Sequence, residues 1–251
     1  MICKNCSNRF EGNFCNNCGQ SAKVRRFSFF YFVKENFFSS LDIENGLFYT
    51  IKLLFLRPGV AIREYLEGKR VSLYVPIKYL LLIGALAALV SMRFDLFLSE
   101  KPGPVLHVLP VDHLGAFLSF AEEYATVINV IAIPVFALFS WLFFFESKYN
   151  YTENLILNIY ITAQQLIMLL LIFPVIALIP TWKEEVIAIY SAITLIYNLW
   201  VYFTFFKIVK FVQVAKAFFA LICAYLLQFV LNYGFYLFMW NKLKGNVAIF
   251  Q

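Results

Sequence analysis

Long apolar runs fill the last two thirds of the sequence. Five windows of about twenty apolar residues follow one another, the length at which a helix crosses roughly 30 Å of hydrocarbon. The runs are continuous and lack the period-two alternation of barrel strands, so the pattern predicts helices. The predicted spans are Ile77–Leu98, Ala125–Phe145, Ile159–Ile179, Val186–Phe206 and Ala217–Met239. The predicted fold class is therefore an all-α polytopic membrane protein with five transmembrane helices.

Two stretches before the first span are aromatic, but polar residues interrupt them too often for a span. Each carries an apolar stripe at helical spacing, formed by Phe30, Val33, Phe37 and Leu41 in the first and by Leu47, Ile51, Leu54 and Phe55 in the second. Asp42–Gly46 separates the two stretches. The stripes are typical of helices that lie in the membrane interface, and they equally suit helices that pack on the transmembrane bundle.

Residues 57–79, RPGVAIREYLEGKRVSLYVPIKY, connect these stretches to the first span and are called the joint below. Pro58 suits the first position of a helix, and Gly68 suits the left-handed residue that ends one. Arg63 and Glu67 are four residues apart, a spacing that predicts an ion pair along the helix. The apolar side of this helix is expected to comprise Val60, Ile62, Tyr65 and Leu66.

Composition agrees with a lipid environment, and charge predicts the orientation. Hydrophobic residues make up 62% of the 251-residue chain and aromatic residues 20%, more than a water-soluble domain contains. The net charge is +6. With five spans and a cytoplasmic N-terminus, sixteen of the 21 Lys and Arg residues lie inside. The bias predicts an N-in, C-out topology, although Lys242 and Lys244 oppose it at the last span.

Four of the five cysteines form a pair of CxxC motifs near the start of the chain: Cys3, Cys6, Cys15 and Cys18. This is the spacing of a zinc ribbon, in which two tight turns direct four thiolates at one ion. Two disulfides are the alternative, but a cytoplasmic location is reducing and disfavours them. We expect a structural Zn²⁺ site over residues 1–22, because a closed shell of four thiolates leaves no position open for catalysis.

Cations accompany the ribbon and continue into the joint. The ribbon loop Ser7–Phe14 offers only Arg9, whereas a nucleic-acid surface needs a broad basic face. We therefore favour anionic lipid headgroups and a protein partner or oligomer over nucleic acid. The candidate lipid- or partner-binding residues are Arg25, Arg26, Arg57, Arg63, Glu64, Lys69, Arg70 and Lys78. Domain boundaries follow: ribbon 1–22, basic juxtamembrane helices 23–76 and transmembrane domain 77–251.

The order of motifs CxxC…FCxxCGQ, GLFYT, RPGVAIREYLEGKR and PIKYLLL resembles the bacterial domain-of-unknown-function family 3667. The resemblance runs through about Ile83. It implies a multi-span protein of the bacterial inner membrane with a zinc-ribbon head. The helix that leads into five spans is also similar in architecture to Yip-type membrane proteins. Neither family implies a catalytic set of residues.

The predicted spans contain few charges, and their polar residues are neutral amides. These are Asn129, Gln164, Gln165, Asn198, Gln228 and Asn232. Such side chains join helices in membranes, and they also line paths for polar substrates. The predicted external loop, Ser99–Tyr124, carries a set of ionisable residues: His107, Asp112, His113, Glu122 and Glu123. Their spacing matches no ligand motif, and we interpret them as solvated.

Three functions are consistent with these features. The first is a membrane-anchored adaptor or accessory subunit that docks a partner through its ribbon and amphipathic helices. The second is a permease or flippase-like handler of a lipid or small molecule between the amide-bearing helices. The third is an enzyme acting on lipid phosphates through Arg63 and Glu64. No catalytic motif occurs in the chain, so we do not expect an enzyme.

Overall fold

A computed structural model of the chain describes residues 1–38, 46–93, 117 and 125–247. The first 22 residues form a small ribbon, and helices joined by short connections make up the rest of these ranges. The helices are α1 (Phe29–Phe38), α2 (Leu47–Leu56), α3 (Pro58–Glu67), α4 (Pro76–Arg93), α5 (Ala125–Phe143), α6 (Tyr151–Leu178), α7 (Lys183–Phe205) and α8 (Phe211–Val247). Two short 3₁₀ turns, Phe145–Ser147 and Pro180–Trp182, precede α6 and α7.

Helix α6 is the centre of the bundle. It packs along α4, α5 and α7, while α8 packs against α5 and, less extensively, α7. Residues from several turns of α6 are almost fully buried, among them Ile156, Leu157, Tyr160 and Ala163.

Within the described ranges, three helices are long and apolar enough to cross a membrane: Tyr151–Leu178, Glu184–Phe205 and Phe211–Phe238. They correspond to the last three spans predicted from the sequence. The first two predicted spans have shorter apolar helices in the described ranges, Pro76–Ser91 and Val127–Phe143. The predicted end of the first span, up to Leu98, lies outside the described residues. The structure thus supports a membrane protein with three candidate spans, and the five-span topology stays a prediction.

The joint helix α3 has the bounds that its sequence predicts. It begins at Pro58 and ends at Gly68, whose φ of 122° is the conformation that glycine adopts without steric cost. Its apolar side is buried through Ile62, Tyr65 and Leu66. Gly59 allows the closest approach, because a Cβ there would lie 2.3 Å from the backbone nitrogen of Phe205. The start of α3 therefore touches the end of α7.

Helix α2 packs on the bundle by its backbone as well as by its side chains. Tyr197 of α7 donates its hydroxyl to the Leu54 carbonyl at 3.1 Å, and the Gln164 amide donates to the Ile51 carbonyl at 3.4 Å. On the opposite side Phe48 is 83% exposed. The stripe of α2 thus faces the bundle. In α1 the buried ring is Phe32, whereas Phe30 of the predicted stripe is 86% exposed.

Candidate metal centre and its contacts with the membrane helices

The four cysteines of the two CxxC motifs meet at one point. Their sulfur atoms all lie within 4.8 Å of one another, with the Cys3–Cys18 and Cys6–Cys15 pairs at 3.6 Å. Cys3 and Cys15 are buried, and Cys6 and Cys18 are half-buried. Four thiolates around a tetrahedral ion with Zn–S bonds of about 2.3 Å would be about 3.8 Å apart. The arrangement fits a metal ion in size and in donor chemistry.

The two halves of the ribbon repeat the same backbone turn. In the first, the Cys3 N–H donates to Asn8 and the Ser7 N–H donates to Cys3. In the second, Cys15 donates to Gln20 and Gly19 donates to Cys15. Each turn needs a left-handed residue directly after its second cysteine, with φ of 61° at Ser7 and 73° at Gly19. The turns direct the two sulfur atoms of each motif at the same point.

Amide groups around the sulfur atoms change the acidity of the thiols. The backbone N–H of Asn8 and the side chain of Asn17 lower the pKa of Cys6 to about 6. Burial opposes ionisation of Cys15, but backbone hydrogen bonds from Asn17 and Cys18 outweigh it and lower the pKa. Burial raises the pKa of Cys18 to about 11. Since metal ligation requires thiolates, a metal ion would displace the remaining protons.

The ribbon is held against the joint by one side chain from each of its turns. Asn5 lies between Cys3 and Cys6, and its Oδ1 accepts hydrogen bonds from the Ser72 hydroxyl at 2.9 Å and the Ser72 N–H at 3.3 Å. Gln20, in the second turn, accepts from the Arg70 N–H at 3.2 Å. Gln20 is only 5% exposed. Two separate contacts thus fix the ribbon on residues 70–72.

Arg70 joins residues 23–28, the linker between the ribbon and α1, to the joint. Its guanidinium lies over the Phe27 ring, 3.8 Å from the centroid. It also donates to the Tyr31 hydroxyl at 3.1 Å and to the Arg25 carbonyl at 2.6 Å. A planar, forked cation can stack and donate at the same time, which an ammonium group cannot. This candidate residue therefore has a structural role in the described protein.

A column of aromatic rings continues from Phe27 into the bundle. Phe27 stacks on Tyr65 at 5.7 Å between centroids, and Tyr65 meets Tyr160 of α6 edge-on at 5.7 Å. Tyr160 donates to the Tyr74 carbonyl at 2.7 Å, and Tyr79 donates to Gln164 at 2.7 Å. All of these rings are buried. The ribbon linker, the joint and α6 therefore share one core.

Arg26 makes a second connection between the linker and α6. Its guanidinium binds the Glu153 carboxylate in a bidentate manner, with N–O distances of 2.8 and 2.7 Å. Glu153 is buried and also accepts from the Asn150 N–H at 2.8 Å, while the Asn150 side chain accepts from the Glu153 N–H at 2.9 Å. This capping box starts α6. The carboxylate raises the pKa of Arg26.

Arg63 does not pair with Glu67 as the spacing predicted. Its guanidinium donates to the carbonyls of Thr204 and Phe205 at the end of α7, the latter at 3.1 Å. Carbonyls at a helix C-terminus lack intrahelical partners and carry partial negative charge, so a cation there is stabilising. The joint's ion pairs instead form around Glu64, which contacts Lys69 at 3.1 Å and Arg57 at 3.7 Å.

Four of the six predicted intramembrane amides line one cavity of about 40 Å³ between α5, α6, α7 and α8: Asn129, Gln165, Asn198 and Gln228. Tyr225 belongs to the same lining, and its hydroxyl accepts from Asn198 at 3.0 Å. Gln164 points elsewhere, to Tyr79 and Ile51. Asn232 is half-buried and is not part of the cavity lining.

The sequence analysis missed a buried polar row on α6 that reaches this cavity. Asn154, Asn158 and Thr162 are buried at successive four-residue intervals. The Asn158 amide donates to Ser140 of α5 at 3.2 Å, and its oxygen accepts from Tyr202 of α7 at 3.2 Å. The four-residue spacing was the available signal, since it places these amides on one helical face.

One predicted set of residues lies outside the part of the chain that the structure describes. The external-loop set of His107, Asp112, His113, Glu122 and Glu123 is outside the described residues. Phe117 is the described residue of that loop, and its buried ring contacts Phe229, Tyr233 and Tyr236 of α8. Lys78 lies near the start of α4 and is half-buried.

The comparisons with known proteins agree with the resemblance noted from the motifs. The model of the family described as "Protein of unknown function (DUF3667)" matches residues 44–87, which hold α2, α3 and most of α4. No curated protein and no solved structure matches the chain. The family match includes the whole joint, residues 57–79. It begins after the ribbon, so the metal centre rests on its own geometry.

Proposed function

We propose that the chain is a membrane-anchored adaptor that presents a metal-bound ribbon to a protein partner. The observation that carries this proposal is the double attachment of the ribbon, by Asn5 to Ser72 and by Gln20 to Arg70. A ribbon on a flexible tether would need neither contact. A ribbon fixed to a membrane bundle holds its outer face in one orientation.

The outer face of the ribbon supports a polypeptide partner. It carries an open groove of about 570 Å³ lined by Met1, Ile2, Arg9, Phe10, Glu11 and Asn16. Met1 and Ile2 of this lining are both 64% exposed. Exposed apolar side chains beside one cation and one anion suit a protein surface. A nucleic acid would require a broad basic face, which this groove lacks.

We propose zinc as the ion of the ribbon. Four thiolates in tetrahedral reach are the donors of structural zinc sites, and such a shell leaves no open position for a substrate. Zinc would supply folding free energy rather than chemistry here. Elemental analysis is expected to find one zinc per chain, which Cys3→Ser with Cys15→Ser abolishes. Iron in place of zinc, or four reactive thiols without metal, would contradict the assignment.

We further propose that the protein spans the bacterial inner membrane five times with its N-terminus in the cytoplasm. The basic residues of the linker and joint support this orientation by the positive-inside rule. Exposed rings such as Phe30 and Phe48 suit the membrane interface, and nearby Arg25, Arg57, Lys69 and Lys78 suit anionic headgroups.

The partner is testable by photo-crosslinking. We would place a benzophenone amino acid at Ile2 in the ribbon groove and, as a matched control, at the exposed Leu226 of α8. Irradiation of intact membranes is expected to give a discrete protein adduct from position 2 and lipid adducts from position 226. Lipid adducts alone from both positions would contradict the adaptor function.

A second function, passage of a small molecule between the helices, has one observation in its favour. The amides of α5, α6, α7 and α8 converge on a shared cavity, and Asn154 next to it has an oxygen without a partner among the described residues. At about 40 Å³ the cavity admits a few water-sized molecules and no lipid. Solute uptake into proteoliposomes that Asn158→Leu abolishes would favour this function. We propose no enzymatic activity.

A further inference from the structure

A cleft lies between the ribbon, the linker and the end of α3. Its volume is about 490 Å³, and it is lined by Lys4, Val24, Arg25, Arg26, Leu66 and Glu67. Pockets for small molecules span roughly 300–1,000 Å³. Three segments that are distant in the sequence thus form one concavity of ligand size, which is separate from the outer groove of the ribbon.

Charge selects the kind of ligand that this cleft would bind. Lys4, Arg25 and Arg26 are cations, and Glu67 is the one anion of the lining. Glu153, outside the lining, neutralises Arg26, so Lys4 and Arg25 stand against Glu67 and the remaining charge favours an anion. The Arg25 fork can bind phosphate oxygens through two parallel hydrogen bonds, and Lys4 adds a point charge. The lining therefore matches a phosphate group better than a neutral or cationic ligand.

Contacts outside the cleft hold the segments that carry its cations. Arg26 is anchored by its bidentate bond to the buried Glu153, and the Arg25 backbone carbonyl accepts from Arg70. Lys4 lies between two cysteines of the ribbon. Fixing the backbone of these segments beforehand reduces the entropy lost on binding.

Gly68 keeps the walls of the cleft close together. A Cβ at this position would lie 2.9 Å from Val24 and 3.0 Å from Lys4, so even a methyl group would displace one wall. The glycine that ends α3 therefore also allows the ribbon and linker to approach α3.

We propose that this cleft binds a phosphate group, either from an anionic lipid headgroup or from a soluble phosphate ester. The proposal is independent of the adaptor function, because it concerns a different surface of the ribbon. Binding would bring the ribbon, linker and joint around one ligand.

The test uses the full metal-loaded chain and two probes. In detergent, glycerol phosphate is titrated and followed by calorimetry. In nanodiscs of phosphatidylcholine and phosphatidic acid in equal parts, phosphatidic acid retained by the protein is measured by native mass spectrometry. Binding of glycerol phosphate identifies a soluble ester, and retention of phosphatidic acid without it identifies a lipid headgroup. No binding in either experiment overturns the proposal.

Variants separate the cleft from general electrostatic attraction. Arg25→Gln is expected to weaken binding about tenfold, the loss of one charge-assisted hydrogen bond. Arg9→Gln, which removes a ribbon cation outside the cleft, is the matched control and should leave binding within about twofold. Glu67→Gln should strengthen binding, because it removes a repulsive charge. Equal effects of Arg25→Gln and Arg9→Gln, or weaker binding by Glu67→Gln, would overturn the proposal; unchanged metal content verifies that each variant is folded.

Discussion

Single residues connect parts of this chain that are far apart in sequence. Arg26 binds Glu153, Arg63 binds the end of α7, and Arg70 binds Tyr31 and the Arg25 carbonyl. All three were candidates for lipid or partner binding from their charge alone. In the structure each has protein partners, so these arginines first stabilise the assembly of head and bundle.

Gly59 lies so close to α7 that a side chain at this position should destabilise the protein. Gly59→Ala places a methyl group 2.3 Å from backbone and side-chain atoms of α7. Overpacking against atoms that cannot move aside should cost about 3 kcal/mol or more. Gly234→Ala is the matched control, since its methyl group meets nothing within 4 Å. Thermal unfolding in detergent should show a large loss for the first variant and little change for the second.

At the scale of elements, signals within one segment predicted local structure correctly. Contacts between distant segments could not be predicted from the sequence. Pro58 and Gly68 correctly predicted the ends of α3, and the CxxC spacing correctly predicted a cluster of four cysteines. The expected Arg63–Glu67 ion pair does not form, because carbonyls at the end of α7 bind the Arg63 guanidinium instead. Sequence spacing carries information about one helix, whereas the partner of a side chain depends on which other helix packs there.

The connection between the linker and α6 is testable through Glu153. Glu153→Gln removes a buried charge that binds Arg26 and caps the helix, and should destabilise the protein by about 2 kcal/mol. Glu146→Gln breaks the more exposed pair with Lys216 and should cost less than about 1 kcal/mol. Equal losses in the two variants, measured by chemical unfolding in detergent, would contradict a structural role for the Arg26 contact.

At the scale of the whole molecule, the joint connects the metal centre with the membrane helices. Residues 70–72 bind both turns of the ribbon, and the same segment leads into α4 through Tyr74 and Tyr79. The sequence predicted a ribbon, a joint and a helical membrane part as successive units. It did not predict that Phe27, Tyr65 and Tyr160 place them in one core, because ring contacts between such distant segments leave no periodic signal.

The distribution of Lys and Arg along the chain predicts the membrane topology of the whole molecule. A reporter fused after Lys148 should be active in the cytoplasm, and one fused after Pro104 should be active in the periplasm. The physical reason is the concentration of Lys and Arg on the predicted inner side. The reverse result at either position would refute the five-span, N-in topology.

Hydrogen exchange at Arg70 and Ser72 tests whether the metal-bound ribbon holds the joint in place. Both amide N–H groups donate to ribbon side chains, to Gln20 and Asn5. With metal bound, both amides should exchange slowly. Removal of the metal with a chelator should unfold the ribbon and speed their exchange by at least tenfold, while amides within α6 stay protected. Unchanged exchange at Arg70 and Ser72 after complete metal removal would contradict the account.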